Sequence, residues 1–526
     1  MKDSYVISVD VGTQSLRVCL MTEKGKSIEY VALQYEDLYI KNDGPYREVQ
    51  PLYYLDYLKS GIKQITSKHP DKVNSIIAIS IVTIRDTIVF LENKGTKTDP
   101  KFEPLYNIIH WTDGRAASEK FCKFPLWFSA SLKVIGFYSV VKRIATLGRT
   151  NWMREKRPDI WEKTDMVALL SAYMNYLITG NLVETRACLL GHLPFNTKRG
   201  EWDKKGSIHD LVFPDVVGKL PPLINQNESV GVILDDLADE VGLPHNIKVY
   251  SPGTDKALEQ VGQGAIEMTD VSISFGSAAS VELLSDHYYE GESFIPVYRS
   301  ALPNLYTPDY QVYRGYWMLK WFAKEFAFEY EWNTATQNGS NIEAELDRLL
   351  EITPVCNDGL YMLPFWGEGI KTVGARGAII GFNDKHTRAH IYRAIIEGIN
   401  FELYDGYLRL LRRGHLPSPI KGYVSGGGAS SEKICQMTAD LFNLPIKRCT
   451  FQDASILGAS IAAFVYEGVY SSFDDAVKNM VETKDTFIPN KANHKTYMDF
   501  YNNVYKKTLD KLYSKFLYID KIQKQE

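Results

Sequence analysis

One short pattern occurs twice in this chain, almost half its length apart, and it narrows the fold more than any other feature. Tyr5 to Met21 reads as a strand (YVISVDV), a turn carrying Gly12 and Thr13, and a second strand (SLRVCLM). Val271 to Ser285, VSISFGSAASVELLS, has the same shape. At an offset of 264, Val9-Asp10-Val11-Gly12-Thr13 falls on Ile273-Ser274-Phe275-Gly276-Ser277, and Val18 to Met21 falls on Glu282 to Ser285. Short β patterns recur by chance. An offset of nearly half the 526 residues reads instead as two related halves, each opening with a hairpin whose Gly turn can hold phosphate oxygens.

Strand and helix patterns alternate along the rest of the chain, so the class is α/β. Tyr53 to His69 has helical periodicity, and Ile76 to Leu91 reads as two strands around a polar kink. Helices are expected over Trp161 to Thr179, Leu234 to Val241, and Thr387 to Arg412, the last stopped by Gly414 and Pro417. A strand from Ile420 to Val424 runs into Gly426-Gly427-Gly428, with a helix from about Glu432 to Leu441. Ala454 to Tyr466 is a helical run of small residues, and Tyr497 to Phe516 has aromatic residues at helical spacing. The loop at Ser251-Pro252-Gly253 is a candidate boundary, giving lobes of residues 1–252 and 253–526.

Composition excludes several classes. Net charge is −4, so no basic excess points to nucleic acid or to an anionic membrane. The opening apolar stretch ends at Asp10, too short for a secretory core, and the run from Ser75 to Ile84 is half a membrane span. Six scattered cysteines lack CxxC or metal-finger spacing and suit core positions in a reducing cytoplasm.

Four clusters carry chemistry. Asp10, Gly12, Thr13, Gln14, Ser15 and Arg17 combine a strand-end carboxylate, a tight turn, hydroxyls and an Arg, the set a Mg-nucleotide site needs, although an ordinary hairpin turn has the same outline. Gly426 to Ser431 lies between strand and helix, where bare backbone admits a nucleoside or anion; Ser431 replaces the last Gly of GxGxxG, which disfavours a dinucleotide. Asp255 follows an apolar strand, where a carboxylate can take a proton from a substrate hydroxyl; taken alone, an Asp there more often caps a helix. Arg85 and Asp86 interrupt an apolar run, either paired structurally or hydrogen-bonding a polyhydroxy ligand. Trp111, Asp113 and Arg115 in HWTDGRA offer a stacking face with polar partners.

Together these clusters resemble the FGGY carbohydrate kinases across nearly the whole chain. SVDVGTQSLRVCLM is similar to the family's phosphate hairpin, NIIHWTDGRA to its Trp-x-Asp-x-Arg stretch, and GTDKALEQVGQG to its catalytic segment. RGAIIGF to RAIIEG and SGGGASSEKICQMTAD resemble its later blocks, followed by Ala454 to Ala463. The resemblance implies two actin-like (ribonuclease H-like) ATPase lobes with an intervening cleft, and ATP- and Mg²⁺-dependent phosphorylation of a small sugar or polyol in the cytoplasm. It allows a homodimer. It implies Asp255 as general base, Asp10 on Mg²⁺, Thr13 and Arg17 on the γ-phosphate, and Gly276 and Ser277 on the phosphate chain. Gly427, Gly428 and Ser431 would meet the adenosine, and Arg85, Asp86, Trp111 and Asp113 the sugar. Three positions depart from the pattern: Ala278 in the second turn, Gly369 in Gly367-Glu368-Gly369, and Arg85-Asp86, which is nearer the Arg-Glu of glycerol and autoinducer kinases than the Met-His of xylulose kinases. A non-sugar actin-like ATPase and a sensor that has lost catalysis are the rival readings.

Overall fold

The computed structural model describes residues 3–189, 193–367, 369 and 374–523; Glu368 of the Gly367-Glu368-Gly369 departure lies outside them. The chain divides into two units, and three stretches of sequence build the first: Met1–Gly264, Asp286–Thr307 and Asp453–Val481. The second comprises Ala265–Ser285, Pro308–Gln452 and Glu482–Glu526. These bounds differ from the single boundary that the Ser251-Pro252-Gly253 loop suggests.

Unit 1 is built on β1 (Tyr5–Val11), β2 (Ser15–Thr22), β3 (Ser27–Gln34), β4 (Ile76–Thr83), β5 (Gly231–Val232) and β6 (Lys248–Tyr250). They form one sheet in the order β5-β6-β4-β1-β2-β3. All seven residues of β1 are buried, so the strand is covered on both faces, and Ser8 and Asp10 interrupt its apolar run. Helix α1 (Tyr53–Lys68) packs on β2 and β3, and Gly61 lies against Val18. A smaller sheet, with Ile88–Asn93 beside Ile108–Ile109 and Met166–Leu169, carries the HWTDGRA segment.

Unit 2 repeats the plan with β7 (Asp270–Phe275), β8 (Ala279–Glu282), β9 (Asp309–Val312), β10 (Lys421–Ser425), β11 (Ile446–Cys449) and β12 (Thr483–Phe487), in the order β9-β8-β7-β10-β11-β12. In each sheet two antiparallel pairs lie on one side of the first strand, and two parallel pairs and an antiparallel edge on the other. The duplication is therefore structural, with one correction. Val11 pairs with Leu16, whereas Phe275 pairs with Ala279, so the second hairpin closes one residue earlier. Val18 accordingly matches Val281, not Glu282. A one-residue slip would have turned every side chain of β8 to the wrong face.

Two expected helices are broken. Trp161 to Thr179 contains a strand, Met166–Leu169, between helices Pro158–Lys163 and Leu170–Thr179, because that edge pairs with Ile88–Leu91. The C-terminal run is two helices, Lys491–Asn503 and Thr508–Gln523, parted where Tyr505 is buried and donates to Gly398 O and Glu402 Oε2, both at 3.2 Å, on α3 (Arg388–Gly414). Helix α3 runs through Gly414 and ends at His415 in the left-handed region, φ 49°. Among the described residues all six cysteines are buried and none forms a disulfide, and no helix is long and apolar enough to cross a membrane.

What draws the distant segment 453–481 into unit 1 is a close helix crossing. Helix α2 (Asp255–Gln263) meets α5 (Ala454–Tyr466) with glycines at the contact. A Cβ on Gly262 would lie 1.9 Å from Ala454 O, and one on Gly458 1.9 Å from Leu258 O. Backbone oxygens cannot step aside as side-chain ends do. Gly458→Ala should therefore destabilise the protein by about 1–3 kcal/mol, the usual range for overpacking. The readout is a lowered first transition in a thermal melt.

Candidate active site

Asp10 ends β1, and its carboxylate is buried. Arg17 stands directly opposite on β2 and places Nη2 2.7 Å from Asp10 Oδ2. Gly12 makes room for this: its N–H closes the turn on Ser15 O at 3.1 Å, and a Cβ there would lie 2.7 Å from Arg17 Nη2. The other terminal nitrogen of Arg17 reaches Asp453 Oδ2 at 3.2 Å, which also accepts from Tyr30 Oη at 2.8 Å. Ser455 Oγ lies 2.5 Å from Asp10 Oδ2 and 2.8 Å from Asp453 Oδ1. With one proton, it can serve only one carboxylate fully at a time. Burial pushes the Asp10 carboxyl up to about 7, opposed by Arg17 and reinforced by the nearby charge of Asp453. Asp10 Oδ1 is buried without any partner in the protein.

Asp255 lies on the same sheet edge. Thr254 continues from β6 beside Thr83, itself paired with Val11, so Asp255 and Asp10 are about two strand spacings apart, roughly 10 Å. The N-cap of α2 is Thr254, whose hydroxyl accepts from Ala257 N at 3.3 Å; Asp255 is the first helical residue. The capping alternative for Asp255 is thereby corrected, and its side chain stays one-third exposed. Arg85 Nε is 3.6 Å from Asp255 Oδ1, and the Arg85 guanidinium lies over the Tyr298 ring at 5.0 Å.

Arg85 and Asp86 are each in an ion pair, Arg85 with Asp255 and Asp86 with Arg149. Asp86, in the left-handed region at φ 56°, accepts from Arg149 Nη1 at 2.8 Å. The second terminal nitrogen of Arg149 holds Trp111 O at 2.8 Å. The Trp111 ring is 41% exposed, and its Nε1 donates to Thr13 Oγ1 at 3.1 Å. Asp113 is placed differently from Trp111. Its carboxylate is buried and accepts from Arg115 Nε and Nη2, both at 2.7 Å, and from the backbone N–H of Arg47 and Arg115. Arg115 also binds Glu48 at 2.8 Å and lies over Trp152. Asp113 therefore braces the loop that presents Trp111.

In unit 2 the Gly276-Ser277 turn leaves Ser277 exposed, while the two carbonyls accept from Tyr316 N and Gly315 N at 3.0 and 2.9 Å. Gly426 adopts φ 81°, and a Cβ would lie 2.8 Å from the Phe275 carbonyl carbon. Gly428 packs on Tyr316, where a Cβ would lie 2.6 Å from Cδ1. Gly427 differs: a Cβ there would meet nothing within 4 Å. The Ser431 hydroxyl caps α4 (Glu432–Phe442) through Ile434 N at 3.3 Å.

Comparison with known proteins decides what this arrangement belongs to. Residues 5–262 match the N-terminal domain, and residues 271–467 the C-terminal domain, of the FGGY family of carbohydrate kinases. The chain belongs to that family. This FGGY kinase is 27% identical to the xylulose kinase of Staphylococcus epidermidis, over 97% of this chain and 98% of that protein. It is 24% identical to the gluconokinase of Bacillus subtilis, over 94% and 93%. The solved gluconate kinase of Lactobacillus acidophilus superposes with a TM-score of 0.81 over 98% of this chain and all of that one, at 21% identity. These likenesses show the fold, two actin-like (ribonuclease H-like) lobes, and the enzyme is a carbohydrate kinase that uses ATP.

Sequence reasoning missed Asp453, Arg149 and Tyr298 in this FGGY kinase. Asp453 left one signal, an Asp just before the small-residue helix, the pattern of an N-cap. Nothing local marks the other two. His110, beside Trp111, is fully buried, and burial followed by the Arg149 charge lowers its pKa to about 3. That folded value lies below the unfolded value of about 6.5. The stabilising contribution is complete above pH 6.5 and is lost as pH falls from there toward 3. Between pH 7.5 and 5 the wild type should lose about 2 kcal/mol more than His110→Asn, measured by urea denaturation at the two pH values.

Proposed function

We propose that this kinase transfers the γ-phosphoryl group of ATP to a hydroxyl of a small sugar or polyol, with Asp255 as general base. The observation that carries the assignment is the placement of Asp255: partly exposed, not the N-cap of its helix although its Oδ1 accepts from Lys256 N at 2.9 Å, and on the same strand-end edge as Asp10 and Arg17. The substrate hydroxyl gives its proton to Asp255 as its oxygen bonds to the γ-phosphorus. The bond from that phosphorus to the β,γ-bridging oxygen breaks, and ADP leaves.

Arg17 stabilises charge on the transferring group, and the Thr13, Gln14 and Ser15 turn holds its oxygens. Gly276 and Ser277 meet the phosphate chain. Gly427, bare with no packing reason to be so, lets the nucleoside approach alongside Gly428, while the hydroxyl of Ser431 keeps the following helix start in place. Trp111 offers a face to the sugar, Arg85 and Asp86 supply its polar contacts, and Asp113 acts by bracing the Trp111 loop.

The residues present fit a magnesium ion. Asp10 Oδ1 is a buried oxygen without a partner, and it would be the protein ligand. Among the described residues no group of three or more metal-ligating side chains forms, so phosphate oxygens and waters would complete the shell. Bound there, Mg²⁺ neutralises phosphate charge.

The test is ADP release with Mg-ATP across xylulose, gluconate, glycerol, other ketoses and polyols, and the autoinducer dione. One substrate should stand out. With it, Asp255→Asn should lower kcat by about 10²–10⁴-fold, the usual worth of a positioned base. Near-normal turnover would remove Asp255 from that role.

A further inference from the structure

The network around Asp10 contains one carboxylate for which the phosphoryl-transfer reading gives no task. We infer that Asp453 is a positioning residue for that reaction: it holds one end of the Arg17 guanidinium, so the other end can leave Asp10 for a phosphate oxygen while Arg17 stays aimed. The inference rests on the kinase reading above.

Three observations carry it. First, Arg17 is fixed by its two terminal nitrogens alone. Nη2 binds Asp10 at 2.7 Å, Nη1 binds Asp453 at 3.2 Å, and Nε is buried without a partner. Once Nη2 turns to a phosphate, Asp453 is the carboxylate that still orients the group. Second, Asp453 is the better-fixed member of the pair. Its side chain is 10% exposed against 30% for Arg17, and it accepts from Tyr30, Ser455 and Ile456 N. It also starts the 13-residue helix α5, which packs on β1 and is tied there by a 2.7 Å hydrogen bond between Ser8 and Ser460. Third, capping does not account for the residue. The cap uses Oδ1, toward Ile456 N at 3.3 Å. Oδ2 faces Arg17 and Tyr30, both on the β2–β3 hairpin.

Ser455 can turn its single proton to either carboxylate, and Asp453 keeps Tyr30 and Ile456 N when Asp10 takes it. Its hydroxyl lies between the two carboxylates, so when Nη2 departs Asp10, Oδ2 of Asp10 still has a donor. Two buried carboxyl groups this close share one guanidinium and one hydroxyl, an arrangement that costs stability.

The experiment is a double-mutant cycle of Asp453→Asn and Arg17→Ala in the full chain. It has two readouts: kcat with the best sugar of the panel, and affinity for magnesium with β,γ-imido-ATP by calorimetry. Asparagine keeps the cap acceptor, so folding should hold, with a thermal midpoint within a few degrees of wild type. Asp453→Asn should lower kcat roughly a hundredfold, the scale of a misplaced catalytic group, with the KM of the sugar little changed. Asp453→Glu should recover part of that loss. The double variant should be no worse than Arg17→Ala alone, because Asp453 acts through Arg17. Additive losses in the double variant, or unchanged kcat and analogue affinity in Asp453→Asn, would overturn the inference while leaving the kinase reading intact. Failure of the wild type to bind the analogue would overturn both.

Discussion

A carboxylate buried at the end of β1 sets the terms for the first unit. Taking an ionised Asp out of water costs several kcal/mol unless partners are built around it. Arg17 is the first partner, placed by hairpin register directly across from Asp10. Gly12 is the second requirement, since any Cβ there would displace the guanidinium. The third comes from far along the chain: Ser455 and Asp453, at the start of α5. A local hairpin does not satisfy Asp10 unaided, and this adds to the α2–α5 crossing in holding residues 453–481 within unit 1. The small residues of α5 follow from the same demand. Gly458 lets it lie against α2, and Ser460 against β1.

The two units share a scaffold and divide the chemistry. Where unit 1 has Asp10 facing Arg17, unit 2 has Ser274 facing Ser280. The second sheet edge therefore carries no buried ion pair at this position. It carries instead the glycine loop, where Gly426 is required by its backbone angles and Gly428 by the Tyr316 ring. Gly427 answers to neither constraint. Duplication kept the sheet and the hairpin, and the side chains at one register position separated a charged edge from a neutral one.

Much of this was legible in the sequence. β1, β4 and α1 announce themselves by apolar runs or helical periodicity, and the Asp10 and Asp255 segments by turn chemistry that the sequence alone leaves open to an ordinary turn and a helix cap. What sequence could not supply was anything fixed by a distant partner. Met166–Leu169 carries a helical pattern and becomes a strand because an open sheet edge lies beside it. Asp113 sits in the segment that resembles a sugar site, yet its carboxylate is consumed by Arg115 and by backbone N–H groups that only the folded loop brings near. Asp453 is 436 residues from Arg17, and no pattern of spacing reaches that far.

The link between Trp111 and Thr13 would join the proposed sugar and phosphate contacts within one unit. Trp111 Nε1 donates to Thr13 Oγ1, so the Thr13 hydroxyl has its acceptor side engaged and its own proton free to give. The exposed indole and the β1–β2 hairpin thus share a hydrogen bond instead of meeting only through backbone. Behind the indole, Arg149 ties Trp111 O to Asp86, the residue that follows Arg85 at the end of β4. A sugar resting on Trp111 in the proposed reaction would press on the same bonded set that aims Thr13, and Arg85 would connect it to Asp255 at 3.6 Å. In that proposed reaction the positioning of donor and acceptor would be a single problem for one bonded network, alongside the proton transfer to Asp255.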